Sequence, residues 1–148
     1  AVPLRAAARR RRDRARGALS GMLPLAHAPA WLAASVLLVA AVIFASLVPG
    51  NSGPDVGNLD KLGHFLAYAV LAAWFGGLFA RRWYWGVAVG LALLGIGLEV
   101  LQDLVALNRT GDPNDVAANL AGLGAGLALA LWRTGGWALR MEAWLKRT

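Results

Sequence analysis

The sequence has no cysteine, and only 16% of its 148 residues are charged. The absence of cysteine excludes disulfide bonds and thiolate metal sites. The low charge, together with 58% hydrophobic residues, differs from the usual composition of a soluble domain. Acidic residues are scarcer still, with eight against fifteen lysines and arginines. We therefore interpret the chain as an integral membrane protein.

Four apolar stretches are long enough to cross a membrane, at residues 31–48, 62–80, 83–100 and 116–132. Because an α-helix rises about 1.5 Å per residue, about 20 apolar residues span about 30 Å of hydrocarbon. The first stretch is longer than the apolar core of a signal peptide, so we expect it to be retained. The sequence predicts an all-α integral membrane bundle of four transmembrane helices.

The charges sort by side of the predicted bundle. All lysines and arginines except Lys61 and Arg109 precede the first helix, join the second to the third, or follow the fourth. All acids except Asp13 and Glu142 lie on the opposite side. Since loops rich in lysine and arginine stay in the cytoplasm, both termini are predicted to be cytoplasmic.

The chain divides into a basic N-terminal segment at 1–29, a four-helix domain at 30–133 and an amphipathic tail at 134–148. The arginines of the first segment lie just before a membrane helix. We therefore expect them to attract anionic lipid head groups, at about 1 kcal/mol each, rather than nucleic acid.

The tail has apolar residues at helical spacing. They are Trp137, Met141, Trp144 and Leu145. With basic residues on the remaining face, this pattern predicts a short helix lying at the membrane interface.

Polar side chains crowd the predicted extracytoplasmic ends of helices two, three and four. A charged group at mid-membrane costs about 2.5 to 3.5 kcal/mol on insertion scales, so such residues mark a candidate functional site. The set comprises Asp60, Lys61, His64, Tyr68, Glu99, Gln102, Arg109, Asp112, Asp115 and Asn119.

The first group lies on helix two, where Asp60, Lys61, His64 and Tyr68 fall within about 100° of one another around the axis. Asp60 is equally well explained as the N-cap of that helix. A lone histidine in a membrane helix is usually a hydrogen-bonded packing residue. Because His64 has polar neighbours on the same face, a functional role is as well supported as a packing role.

The second group, Glu99 and Gln102, lies three residues apart near the outer end of helix three. Neighbours at this spacing share a helix face. Glu99 is too deep for a solvated surface acid. The alternative to a mechanistic role is protonation, or pairing with Lys61 or Arg109.

The third group begins helix four. Asp112 before Pro113 predicts an N-cap followed by proline at the first helical position, with Asp115 in the first turn. Asp115 and Asn119 continue into a stripe of small residues, Ala118, Gly122 and Gly126. Small residues at this spacing let membrane helices approach closely, so we expect the stripe to face the bundle.

The segments "DKLGHFLAY", "LEVLQ" and "NRTGDPNDVAANLAGLGAG" together resemble the VanZ-like family of small bacterial membrane proteins. The resemblance covers residues 59–126, although many members carry a proline before the arginine of "VALNRTGD". It implies a bacterial cytoplasmic membrane location, the ten polar residues as signature positions, and a link to tolerance of the glycopeptide teicoplanin. No biochemical activity follows from the resemblance.

Three functions fit these residues. In the first, the site binds or processes an anionic group, such as a phosphate on an envelope lipid or cell-wall precursor. Here His64, Glu99 and Asp115 would be the catalytic candidates or would hold a divalent metal, and the sequence leaves both open. The ligand-binding candidates are Asp60, Lys61, Tyr68, Gln102, Arg109, Asp112 and Asn119. In the second, the cluster only locks the helices of a structural or accessory subunit. In the third, it forms a proton path in a transporter, which would require a homo-oligomer.

Overall fold

The computed structural model describes residues 21–47, 56–105 and 112–147. Within these ranges the chain contains no β-strand. A 3-10 turn spans Arg81–Trp83, and a π-helical turn spans Ala130–Thr134. The α-helices in these ranges are α1 (Ala28–Leu47), α2 (Val56–Leu78), α3 (Tyr84–Val105), α4 (Pro113–Leu129) and α5 (Trp137–Leu145).

The first four helices are each long and apolar enough to cross a membrane. This confirms the predicted all-α architecture with four helices of membrane-spanning length and apolarity. One detail was wrong: α2 begins at Val56, so Asp60 lies inside the helix and is not its N-cap. The arginine-rich start and Arg109 lie outside the described residues.

Helices α2 and α4 make the most extensive helix–helix contact in the described chain. They run in the same direction, because Lys61 meets Asp112 near one end of the pair, while the backbone carbonyl of Ala69 lies against Gly126 farther along. A Cβ atom at Gly126 would overlap that carbonyl, and one at Gly122 would overlap the carbonyl of Phe65. The predicted stripe of small residues therefore provides the close approach of α4 to α2.

Helix α1 lies at the edge of the bundle. Ser35 is its one buried residue within Ala28–Leu47. The Ser35 hydroxyl donates to the Trp31 carbonyl and accepts from Nε1 of Trp74, both at 2.8 Å. Most apolar side chains of α1 are left facing outward, as expected for a helix in contact with lipid.

The bundle has two chemically different ends. We call the end formed by the starts of α2 and α4 and the last turns of α3 the polar end. The opposite end, which carries Arg81, Arg133 and Arg140, is the basic end. There α5 folds back onto the bundle and buries Ala138 and Glu142, while Trp144 stays exposed. A helix over the tail is thus confirmed.

Candidate functional site

The polar end is closed by an ion pair between α2 and α4. Nζ of Lys61 donates to Oδ2 of Asp112 at 2.9 Å and lies 3.5 Å from Oδ1 of Asp115. The side chains of Lys61 and Asp112 are each 36% exposed. A charged pair with this exposure is in contact with water and contributes little stability.

Asp112 connects three helices. Its Oδ1 accepts from the backbone N–H of Asn114 at 2.9 Å, which confirms the predicted N-cap of α4. Its own backbone N–H donates to Oε1 of Glu99 on α3 at 2.6 Å. The hydrogen bond from Lys61, followed by that from Asn114, lowers the pKa of Asp112 below its ordinary value of 3.8. Asp112 is therefore held as a carboxylate at the mouth of the polar end.

Beneath this pair lies a buried polar layer. His64 of α2 is directed at α4, where Nδ1 lies 3.1 Å from Oδ1 of Asn119 and Nε2 lies 3.7 Å from Oδ2 of Asp115. His64, Asp115 and Asn119 are all at most 9% exposed. The predicted inward stripe of Asp115 and Asn119 is found, and it meets the predicted polar face of α2.

Asp60 adds a further carboxylate to this layer. It lies one helical turn before His64 on the same face of α2. Asp60, His64 and Asp115 each offer one ligand atom, and these atoms all lie within 4.8 Å of one another. Nitrogen and oxygen donors at this separation have the chemistry of a divalent-cation site.

The two predicted residues of α3 have different partners. Glu99 is buried and faces α4 through its bond to the backbone of Asp112. Gln102 is also buried, but its Nε2 donates to the carbonyl of Ser46, near the end of α1, at 2.6 Å. Gln102 therefore joins α3 to α1, and its amide donor is not directed at His64.

Tyr68 forms the floor of the polar layer. It is 1% exposed, and its hydroxyl has no hydrogen-bond partner among the described residues. A Cβ atom placed on Gly95 of α3 would lie 3.1 Å from this hydroxyl and 3.3 Å from Nδ2 of Asn119. Gly95 thus lets α3 approach the site, a role that sequence reasoning missed because the glycine belongs to no polar motif.

A groove of about 330 Å³ opens beside the polar layer, between α3 and α4. Glu99 and Asp103 supply its charged groups, and its apolar lining includes Ile96, Pro113 and Val116. The polar end therefore offers a mainly apolar groove with two carboxylates, next to the Lys61–Asp112 pair.

In the sequence, Glu142 is one of the few acids on the basic side of the bundle. Its carboxylate accepts from the backbone N–H groups of Ala26 and His27, at 2.7 and 2.9 Å, and from Nε1 of Trp31 at 2.9 Å. Burial acts to raise the pKa of Glu142, but these donors outweigh it and lower the pKa below 4.5. Glu142 therefore connects α5 to the start of α1. In the sequence, this role is indicated by the position of Glu142 one helical turn after Ala138, on the same face of α5.

The described part of the chain thus brings together Asp60, Lys61, His64, Glu99, Asp112, Asp115 and Asn119, with Tyr68 below them. Gln102 joins a neighbouring contact, and Arg109 lies outside the described residues. No family model matches the chain, and it matches neither a curated protein nor a solved structure. Its function is therefore inferred from its own side chains.

Proposed function

We propose that this protein is a VanZ-like, multi-pass protein of the bacterial cytoplasmic membrane whose polar end binds the anionic group of an envelope lipid. A phosphate on a long polyprenyl chain is the ligand class that fits best. Its charge would meet Lys61, and its chain would stay in the hydrocarbon beside the helices. The family in this proposal rests on the motif resemblance. The binding role rests on the side chains of the polar end.

One observation carries this proposal: Lys61, a half-exposed ammonium, lies over the buried layer of His64, Asp115 and Asn119. Two parallel helices, α2 and α4, also begin at this end. The helix dipole at the start of α4, where Asp112 is the N-cap, favours negative charge at this end. Since Lys61 pairs with an exposed partner, Asp112, an incoming phosphate can compete for it at low cost.

The basic end supports the proposed orientation. Arg81 and Arg82 lie between α2 and α3, and Nη2 of Arg81 donates to the carbonyl of Leu131 near the end of α4. Positive charge from the α2–α3 connection and from the segment after α4, which carries Arg133 and Arg140, therefore collects at one end, which we assign to the cytoplasm. The polar end then faces the extracytoplasmic side, where cell-wall lipids are processed.

The orientation is open to a direct test because the chain contains no cysteine. Single cysteines at the exposed positions Asn114 and Trp144 report the two ends. In intact spheroplasts, Asn114→Cys should react with a membrane-impermeant maleimide, and Trp144→Cys should react only after lysis. The reverse pattern would overturn the assigned orientation.

Ligand binding is tested with purified protein in detergent. Native mass spectrometry would compare a polyprenyl phosphate with the matching polyprenol. We expect selective binding of the phosphate, weakened about tenfold by Lys61→Gln, since the variant loses a charge-assisted hydrogen bond to the phosphate. Lys146→Gln, at the basic end, is the matched control. Equal binding of both lipids would overturn the proposal.

A structural lock is the second candidate, favoured by the bonds that Asp112 makes to α2 and α3. Under this alternative the cluster fixes helix register and binds nothing. Lys61→Gln and His64→Ala would then lower the yield of folded protein. Normal folding together with loss of phosphate binding would argue against the lock.

A further inference from the structure

Among the described residues, acids outnumber bases at the polar end. The carboxylates of Asp60 and Asp115 lie next to His64, and above them Asp112 pairs with Lys61, so three carboxylates stand against one ammonium. A phosphate entering this layer would meet net negative charge. A bound cation would balance that charge.

The histidine supplies the first indication of such a cation. Its Nδ1 lies 3.1 Å from the amide oxygen of Asn119, an acceptor, and in the neutral tautomer that donates to this oxygen the hydrogen is on Nδ1. The lone pair of Nε2 then points towards Asp115, another acceptor, across 3.7 Å. This is the arrangement of a metal-binding histidine, whose other ring N–H usually donates to an oriented oxygen.

The second indication comes from Asp115. Its side chain is 7% exposed, yet its Oδ1 accepts no hydrogen bond from any described residue, with the Lys61 ammonium 3.5 Å away. A buried carboxylate normally accepts several hydrogen bonds or binds a metal. Oδ1 of Asp115 therefore lies in the same layer as Nε2 of His64, with no hydrogen-bond donor among the described residues.

We propose that Asp60, His64 and Asp115 form a binding site for one divalent transition-metal ion of the zinc class. One imidazole nitrogen and two carboxylates suit such an ion better than Ca²⁺ or Mg²⁺, which prefer oxygen ligands alone. Ligands about 2.0 to 2.2 Å from tetrahedral zinc lie about 3.4 Å apart, close to the 3.7 Å between His64 and Asp115.

Three protein ligands leave one coordination position open, as in many catalytic zinc sites. A phosphate oxygen of the lipid would fill it, and in this respect the inference rests on the proposed function. The nearby ammonium of Lys61 would oppose the metal and assist the phosphate. Lys61→Gln should therefore tighten metal binding in the absence of lipid.

The test is calorimetric titration of zinc chloride into chelator-stripped full-length protein in detergent, without lipid. We expect one Zn²⁺ per chain, with affinity reduced at least about tenfold by His64→Ala, since even supporting residues of metal sites contribute about 10- to 100-fold. His27→Ala removes the other histidine, which is exposed at the basic end, and is the matched control. Circular dichroism establishes that each variant is folded.

Absence of zinc binding by the folded wild type would overturn the inference, as would equal losses in the two histidine variants. If His64→Ala does not fold, Asp60→Asn takes its place, and the zinc-induced rise in unfolding temperature should be smaller than in the wild type. Zinc binding without polyprenyl phosphate binding would support the metal site and overturn the proposed function. Binding of the polyprenyl phosphate by chelator-stripped protein that takes up no zinc would support the proposed function and overturn the metal site.

Discussion

Lys61 and Asp112 are 51 residues apart in sequence, yet the ammonium of one lies 2.9 Å from the carboxylate of the other. This pair joins the start of α2 to the start of α4 and covers the buried layer below. Because the pair is partly exposed, its charges contribute little stability at neutral pH. Their contribution is measured through the pH dependence of the unfolding temperature.

Asp112→Asn should remove one acid-labile contribution to stability. The folded-state pKa of Asp112 lies below 3.8, so its stabilisation is complete above that pH and is lost as the pH falls through the folded-state pKa. Asparagine also caps helices, so the change isolates the charge. We expect the variant to have a lower unfolding temperature at pH 7. Below pH 3.8, its unfolding temperature should depend less on pH than that of the wild type. Equal dependence in both proteins would contradict this assignment.

Gly122→Ala should destabilise the contact between α2 and α4. Its Cβ would overlap the backbone carbonyl of Phe65, and overpacking typically costs about 1 to 3 kcal/mol. Gly124→Ala is the control, because a Cβ there meets nothing within 4 Å. Unfolding in detergent should show a lower stability than the wild type for Gly122→Ala and an unchanged stability for Gly124→Ala. Equal stabilities would mean that α4 packs through another face.

Glu142→Gln should loosen the attachment of α5 to α1. Glutamine keeps the shape but loses the charge that accepts from Ala26, His27 and Trp31, at a cost of about 2 kcal/mol. Limited proteolysis should then cut the chain after Arg140 or Lys146 faster than in the wild type. Met141→Ala, on the exposed face of α5, should leave the cleavage rate unchanged.

Tyr68→Phe distinguishes a binding site from a lock. The hydroxyl is buried without a hydrogen-bond partner among the described residues, and leaving a polar group in that state costs about 1 to 3 kcal/mol. Its removal should therefore keep or raise the unfolding temperature. If the hydroxyl serves the ligand, phosphate binding should fall in the same sample. A lower unfolding temperature would show that the hydroxyl supports the fold.

Features that depend on local sequence were predictable. The membrane spans follow from length and apolarity, and the cap at Asp112 follows from its position before Pro113. The stripe through Asn119 and Gly122 could be identified because helical periodicity places these residues on one face. Their burial against α2 then follows, since polar and small residues avoid lipid.

Features that depend on tertiary packing were not predictable. Helix α2 extends back to Val56, so Asp60 is no cap. Gln102 shares a helix face with Glu99, yet its donor is used on Ser46 of α1. The role of Glu142 depends on the start of α1 lying next to α5, more than 100 residues away in sequence. Such partners are set by how helices meet, which periodicity alone does not specify.

The most direct test of the central claim is the location of the bound lipid. A polyprenyl phosphate carrying a photoactivatable group next to the phosphate would be bound, irradiated and mapped by peptide mass spectrometry. We predict labelling of the segments that carry Asp60 to His64 and Asp112 to Asn119, suppressed by excess unlabelled phosphate lipid but not by the polyprenol. Labelling confined to the arginine-rich basic end, or unaffected by the competitor, would contradict the claim.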